Sequence, residues 1–314
     1  MAPQNILIVG ATGNQGGATL KALLNLPPNP TNPIHILALT RDAQSPRAQA
    51  LVAAHPKTIT LIQGDNTNPK PIFASQPKGS ITGLFVVTAN GTKVSEENQA
   101  IPLIDAAVAH GVKHIVFASV ERGGEVTSWS TPTNVKSFLE KHHIELYLRD
   151  KAALAEKDGN SSNKFTWTIL RPSGFMDNFN PGFNASMFTA MWTAGLSPTT
   201  RIPLISTRDI GVFAARALAD PEAHAGRAIS LAGDYMTLAE IKQVFERTVK
   251  PGQKFPQTFT FLGKALMCYI KELKVMFEFF ETCEYEVDIA KVRAEVPEVL
   301  DFEQWLRVVS KWET

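Results

Sequence analysis

Gly10, Gly13 and Gly16 fall at three-residue intervals between a short apolar run, Ile6–Val9, and a helix-like stretch from Gln15 to Leu26. Each meets a different need in such a turn. Gly10 permits a tight exit from a buried strand, Gly13 lets backbone come close to a pyrophosphate, and Gly16 lets the helix pack closely on the sheet. Free amides at the helix start then face two negative phosphates. The candidate dinucleotide-binding residues here are Gly10, Thr12, Gly13, Asn14, Gln15 and Gly16, placed between a strand and a helix as that chemistry requires. A glycine-rich βα turn that binds nothing is the plain alternative.

A second chemical marker lies where the next apolar run, Ile34–Leu39, ends in Thr40-Arg41-Asp42. In a sheet of this kind that strand end meets the adenosine ribose. An acidic residue there bonds the 2′-hydroxyl of NAD, and an arginine accommodates the 2′-phosphate of NADP. Arg41 comes first past the strand, and its guanidinium suits bidentate phosphate binding, so NADP(H) is the favoured cofactor. Asp42 keeps NAD open, as does an exposed loop with no ligand at all. Gly10 to Arg41 exceeds the usual spacing of about 20 residues, and the proline-rich stretch Asn25–Pro33 accounts for the excess. Asp65 and Asn66 close a third run; Thr88, Ala89 and Asn90 close a fourth. Both groups stand at carboxyl ends of strands, where such a sheet binds its ligand, although turn formation alone also explains Asp, Asn and Gly there. Tyr147-Leu148-Arg149-Asp150-Lys151 spells a tyrosine–lysine pair one helical turn apart.

The elements that must hold these residues alternate through the first half of the chain. Apolar runs at Ile6–Val9, Ile34–Leu39, Thr58–Ile62, Ile81–Val87, His114–Ala118 and Phe165–Leu170 are separated by helical patterns, the clearest at Glu96–His110 and Phe138–Ala155. Continuous rather than alternating hydrophobicity suits strands covered on both faces. The fold class is therefore α/β: a doubly wound parallel Rossmann sheet with a smaller α+β C-terminal substrate lobe. Asp158–Lys164 reads as a polar loop. Residues 1–172 form the expected nucleotide-binding domain, with 201–232 returning to it, and 173–200 with 233–314 form the lobe. Within these later parts Asp209–Leu218 reads as a helix and Arg227–Leu231 as a strand. Thr237 and Glu240 have the spacing of a capping box. Phe259, Phe261, Tyr269, Phe277, Phe279 and Phe280 are expected mostly in core or inter-lobe packing, with some free to line an apolar pocket.

Bulk properties narrow the function classes. A net charge of +1 gives no reason to expect nucleic acid or an anionic membrane as partner. The two cysteines, Cys268 and Cys283, make neither a disulfide framework nor a zinc site, so no metal is expected and a reducing compartment is the default. The first strand begins by Asn5, which leaves no room for a signal peptide, and no apolar run approaches a membrane span. The expected location is cytoplasmic.

Taken in order, Gly10-Ala11-Thr12-Gly13-Asn14-Gln15-Gly16-Gly17, Thr40-Arg41, Gln63-Gly64-Asp65, Ala106–Val116, Lys141–Leu148 and Thr166-Trp167-Thr168-Ile169-Leu170-Arg171-Pro172-Ser173-Gly174-Phe175 resemble the NmrA-like branch of the atypical short-chain dehydrogenase/reductase superfamily. The resemblance runs through about Asp234. It implies an NADP(H)-binding sheet with a small lobe closing over the nicotinamide. Its members include reductases, redox-sensing regulators that bind the dinucleotide without turning it over, and enzymes that use it as a scaffold. Matching the residues places Lys141 at the superfamily's catalytic lysine and Ser119 at its usual serine. Four residues before Lys141, where a tyrosine acid belongs, stands Ser137, whose hydroxyl is far too weakly acidic to replace it. Tyr147 lies about 240° around a helix from Lys141, so the two cannot both face a cofactor. Tyr147 is accordingly read as a helix-packing residue. His142 and His143 are read as solvated or capping, Phe175 as a neighbour of the nicotinamide or a core residue, Asn178 as positioning the same loop, and Arg171 as a structural anchor.

Three functions follow as expectations. The first is an NADP(H)-dependent reductase of a small apolar substrate, with a place in a biosynthetic pathway. The second is a non-enzymatic NADP(H)-sensing regulator with a protein partner, motivated by the missing tyrosine. The third is an enzyme in which the cofactor does no redox chemistry.

Overall fold

Aliphatic runs without polar alternation become strands buried on both faces, and the computed structural model describes them within residues 4–29, 32–158 and 164–314. Residues 30–31 of the expected loop Asn25–Pro33, and 159–163 of Asp158–Lys164, lie outside the described residues. The elements run β1 (Gln4–Ile8), α1 (Asn14–Leu24), β2 (Ile34–Thr40), α2 (Pro46–Ala54), β3 (Ile59–Gln63), α3 (Lys70–Ala74), β4 (Ile81–Val86), α4 (Glu96–His110), β5 (His114–Ala118), α5 (Thr127–Ser130) and α6 (Lys136–Lys157). They continue with β6 (Thr166–Pro172), β7 (Gly174–Phe175), a 3-10 turn (Met176–Phe179), α7 (Phe183–Gly195), β8 (Ile202–Ile205), α8 (Thr207–Ala219), α9 (Pro221–His224), β9 (Arg227–Leu231) and β10 (Asp234–Met236). The chain closes with α10 (Leu238–Thr248), α11 (Thr260–Tyr269), α12 (Lys271–Thr282), α13 (Ile289–Glu295) and α14 (Phe302–Val308).

Seven strands form the main sheet in the order β3-β2-β1-β4-β5-β6-β9. The ladders from β3 through β6 are all parallel, with Ile6 opposite Ile36 on one side and Gly83 on the other. Chain order reverses at β1, so successive crossovers leave the carboxyl ends of β1 and β4 on either side of a crevice. Ile6, Leu7, Ile8, Ile36, Leu84 and Phe85 are all buried, which explains their lack of alternation.

Packing divides the chain into two units. Unit 1 comprises 1–119, 140–170 and 210–229, and unit 2 comprises 120–139, 171–209 and 230–314. The expected first domain ran unbroken to residue 172. Residues 120–139 instead pack with unit 2: the Glu121 amide bonds the Pro172 carbonyl at 3.0 Å, and the Gly124 backbone lies against Glu286. Residues 201–209 fall in unit 2 and 210–229 in unit 1, while β9 joins the main sheet beside β6 although its last two residues cluster with unit 2. Unit 2 carries its own sheet, β10-β8-β7, and a core built on Phe179, Trp192, Phe245, Phe277, Phe302 and Trp305. The Thr237–Glu240 capping box opens α10 as its spacing predicts.

The aromatic run beyond Phe259 departs from expectation. Phe277 is buried, whereas Phe259, Phe261 and Tyr269 are exposed. Helix α11 is apolar on most of its circumference, and only one face can pack. Gly263 and Met267 take the inner side, where a Cβ on Gly263 would stand 2.4 Å from the Ala190 carbonyl carbon.

Candidate functional site

A groove of about 710 Å3 opens in unit 1 at the carboxyl ends of β1 to β4. Gly10 has φ +65°, a conformation only glycine adopts without cost. A Cβ on Gly16 would lie 2.3 Å from the Gly10 carbonyl oxygen, so the start of α1 is drawn against the strand exit. The helix begins at Gly13 with no side-chain cap and no acidic residue in its first turn. Its leading amides are thus left for an anion. Gln15 Oε1 is enclosed and accepts no hydrogen bond, which suits a ligand donor. These residues could hold a pyrophosphate.

Of the residues singled out in the sequence, Gly10, Thr12, Gly13, Arg41, Asp65, Asn66, Thr88 and Ala89 line this groove. Asn14, Gln15 and Gly16 form the first turn of α1 behind it, while the Asn90 side chain accepts from the Gly91 amide at 2.6 Å. Arg41 is exposed and makes no hydrogen bond or ion pair among the described residues. The Asp42 carboxylate, by contrast, accepts from the Gln44 amide at 2.9 Å and so is turned into its own loop. Asp65 Oδ1 is occupied in a similar local turn by the amide and hydroxyl of Thr67, both at 2.9 Å.

Three residues missed by the sequence reading complete the site. Arg47, at the start of α2, lines the groove and reaches the Thr12 carbonyl at 3.3 Å, giving the Arg41 end a second guanidinium. Its only signal was a cation six residues beyond Arg41. Gln99 clamps the loop after β4, accepting from the Ala89 amide and donating to the Ala89 carbonyl, each at 2.9 Å. Glu96 opens α4, where an acidic residue ordinarily just complements the helix dipole. Here it is buried, and one oxygen takes both the Thr88 hydroxyl and the Lys141 ammonium. Its other oxygen is enclosed and unbonded. Lys141 is thereby connected to the groove through Glu96 and Thr88.

Ser119 is buried, and its hydroxyl donates to Glu145, a fully buried carboxylate that no sequence signal singled out. Ser137 is also buried, with its amide on Glu272 Oε1 at 3.3 Å. Tyr147 donates to Asp105 Oδ1 at 2.5 Å, and Lys151 pairs with the same oxygen at 2.8 Å. Burial, and then the Asp105 hydrogen bond, raise the Tyr147 pKa above its ordinary value, opposite to what a proton donor at neutral pH requires. The tyrosine–lysine pair packs α6 on α4. His143 meets Glu97 at 2.6 Å, but His142 is buried rather than solvated.

In unit 2, Phe175 is half-buried on β7 opposite Ile205. Asn178 is exposed, and no side-chain hydrogen bond ties it to that loop among the described residues. Its neighbour Asp177 is tied to the start of α8, accepting from the Thr207 amide at 2.9 Å and hydroxyl at 2.7 Å. Arg171 is buried, bonds the Glu125 carbonyl at 2.8 Å and lies 4.5 Å from the Trp129 ring. No group of three or more His, Cys, Asp or Glu among the described residues could hold a metal ion, and no described helix is long and apolar enough to cross a membrane.

A parallel order β3-β2-β1-β4-β5-β6 with a glycine turn after β1 defines the Rossmann class of α/β proteins. The chain belongs to the NmrA-like family, which matches residues 2–306. It is 25% identical over 307 residues to the NmrA-like family domain-containing oxidoreductase FrzB of Cladobotryum sp., covering 88% of this chain and 84% of that protein. Its fold resembles the NADPH-dependent quinone oxidoreductase QOR2 of Escherichia coli complexed with NADPH, at 21% identity and TM-score 0.65 over 95% of this chain and 96% of that one. It resembles equally NmrA, a negative transcriptional regulator, in complex with NADP at 17% identity and with NAD at 16%. Both NmrA complexes give TM-score 0.69 over 99% of this chain and 96% of theirs.

Proposed function

We propose that this protein is an NADP(H)-dependent reductase of an apolar small molecule. The observation that carries the reading is the cationic end of the groove, where Arg41 and Arg47 stand past β2 while the Asp42 carboxylate is engaged by its own loop. Two guanidiniums suit a 2′-phosphate, and a carboxylate already hydrogen-bonded locally is a poor partner for a 2′-hydroxyl. The glycine cradle and the uncapped start of α1 hold the pyrophosphate. NADPH, when bound, supplies a hydride. Lys141 holds ribose hydroxyls and lends positive charge to a substrate oxygen, with Glu96 orienting its ammonium. Relatives named as oxidoreductases, FrzB among them, support the same reading.

Titration of the protein with NADPH and NADH, followed by NADPH oxidation against quinones, enones and ketones, tests it. Tight NADPH binding with turnover of at least one substrate is expected. Equal affinity for NADH, or no oxidation across the panel, overturns it.

One observation favours a second reading, an NADP(H)-sensing regulator of the NmrA kind. Ser137 stands where the acid belongs, and the Ser119 hydroxyl is committed to Glu145. A partner captured only in the presence of NADP(H), from a protein that never oxidises NADPH, would select it.

A further inference from the structure

Unit 2 contains a cavity of about 500 Å3 between the segment 122–135 and helix α12 with its C-terminal exit. That volume lies within the range of small-molecule sites. Val135, Val275 and Phe279 supply apolar wall, while Glu278 and Glu284 bring two carboxylates to it. The Phe279 ring is held edge-on by Phe138 at 5.5 Å and by Tyr285 at 6.3 Å.

One cation, Arg122, also borders the cavity, but its guanidinium donates to the Val120 carbonyl at 3.1 Å and the Ser128 carbonyl at 3.0 Å. Next to it is a third carboxylate. Glu121 is 1% exposed, and its Oε1 accepts the amides of Gly123 and Gly124. Its Oε2 is enclosed and takes no hydrogen bond. A buried carboxylate oxygen left in this state is costly unless something positive or protic comes to it. Cys283, which lines the cavity, lies within reach of the Glu121 charge. Burial first, and then Glu121, push its thiol up to about 12, so the cysteine is neutral at pH 7 and adds no competing anion.

We infer that this cavity takes a small organic cation, a protonated amine carried on an apolar or aromatic frame. Glu278 (paired with Lys274 at 3.5 Å), Glu284 and, behind the wall, Glu121 outnumber the two cations Arg122 and Lys274 and leave the cavity an excess of negative charge. An aromatic face and aliphatic wall receive the frame. A carboxylate-bearing or uncharged ligand of the same shape gains nothing from that charge. The inference goes beyond the nucleotide groove and does not rest on it.

Calorimetric titration of the full chain with tryptamine, with tryptophol as its uncharged counterpart and with indole-3-acetate as its anionic one, tests the inference. Tryptamine should bind at least about tenfold more tightly than tryptophol, a typical worth for one charge-assisted contact, with indole-3-acetate weakest. The double variant Glu278→Gln/Glu284→Gln, at exposed positions, should lower tryptamine affinity by roughly the same factor and leave tryptophol unchanged. Glu121→Gln keeps the acceptor for the two glycine amides and should weaken tryptamine in the same direction, with its melting temperature verifying that the variant is folded. Equal binding of tryptamine and tryptophol, or tryptamine binding untouched by the double variant, overturns the inference. NADPH titration of the same samples separates its failure from failure of the reductase reading.

Discussion

The groove of unit 1 and the cavity of unit 2 are built by opposite means. The groove is mostly backbone: strand ends in register, a turn only glycines can make, and the open start of α1. The cavity is mostly side chains, brought together from two stretches about 140 residues apart in sequence. A backbone site tolerates side-chain drift but no added Cβ, whereas a side-chain site is retuned by single substitutions.

The largest effect that can break this contrast is on pH dependence, because each unit buries a titratable group of opposite sign. Burial, and secondarily His224, lowers the pKa of His114 in unit 1 to about 4. The unfolded state then takes the proton first, so the stability His114 contributes is present above pH 6.5 and lost as pH falls toward 4. Burial raises Asp209 in unit 2 to about 6, against hydrogen bonds from Leu300 and Arg208. Its contribution is present below pH 3.8 and lost as pH rises through 6. Each shift is worth roughly 3 kcal/mol, so the two nearly offset between pH 4 and 6. Urea midpoints should fall more steeply on acidification in Asp209→Asn than in the wild type, and less steeply, or with reversed slope, in His114→Gln. Parallel curves for all three proteins would remove the contrast.

A matched pair of glycines comes next. Gly16→Ala drives a methyl into the Gly10 carbonyl, and Gly263→Ala drives one into Ala190, so each should cost about 1–3 kcal/mol in a urea melt. Only Gly16→Ala should also abolish NADPH binding; loss of binding in both would show that the units are not separable in this way. Arg41→Ala should weaken NADPH roughly tenfold or more while leaving NADH within about twofold, measured by fluorescence titration. The smallest effect is expected from Thr237→Ala, which removes the α10 capping box for about 1 kcal/mol and leaves both ligands' affinities unchanged.

The same division governs what the sequence made legible. Gly10, Gly13 and Gly16 at that spacing between a strand and a helix point to a tight βα turn, and strand ends follow from apolar runs, so the groove could be drafted before any coordinates. Arg47 could not, because a cation on an exposed helix is usually only solvated. Glu96 and Glu145 were invisible for a related reason: an acidic residue on a helix announces charge, not burial. The aromatics after Phe259 misled because hydrophobicity marks residues able to be buried, and α11 has room to bury only one of its faces. The continuity of the first domain was not legible because residues 120–139 lie within its sequence span and yet cluster with unit 2.

The contact of Lys141 with Glu96 also has a calorimetric consequence. A ribose that draws the ammonium away leaves Glu96 with the Thr88 hydroxyl on one oxygen and no hydrogen bond on the other, in an enclosed place. A buried carboxylate oxygen short of partners is costly, so part of the favourable heat of nucleotide binding would be consumed in parting Lys141 from Glu96.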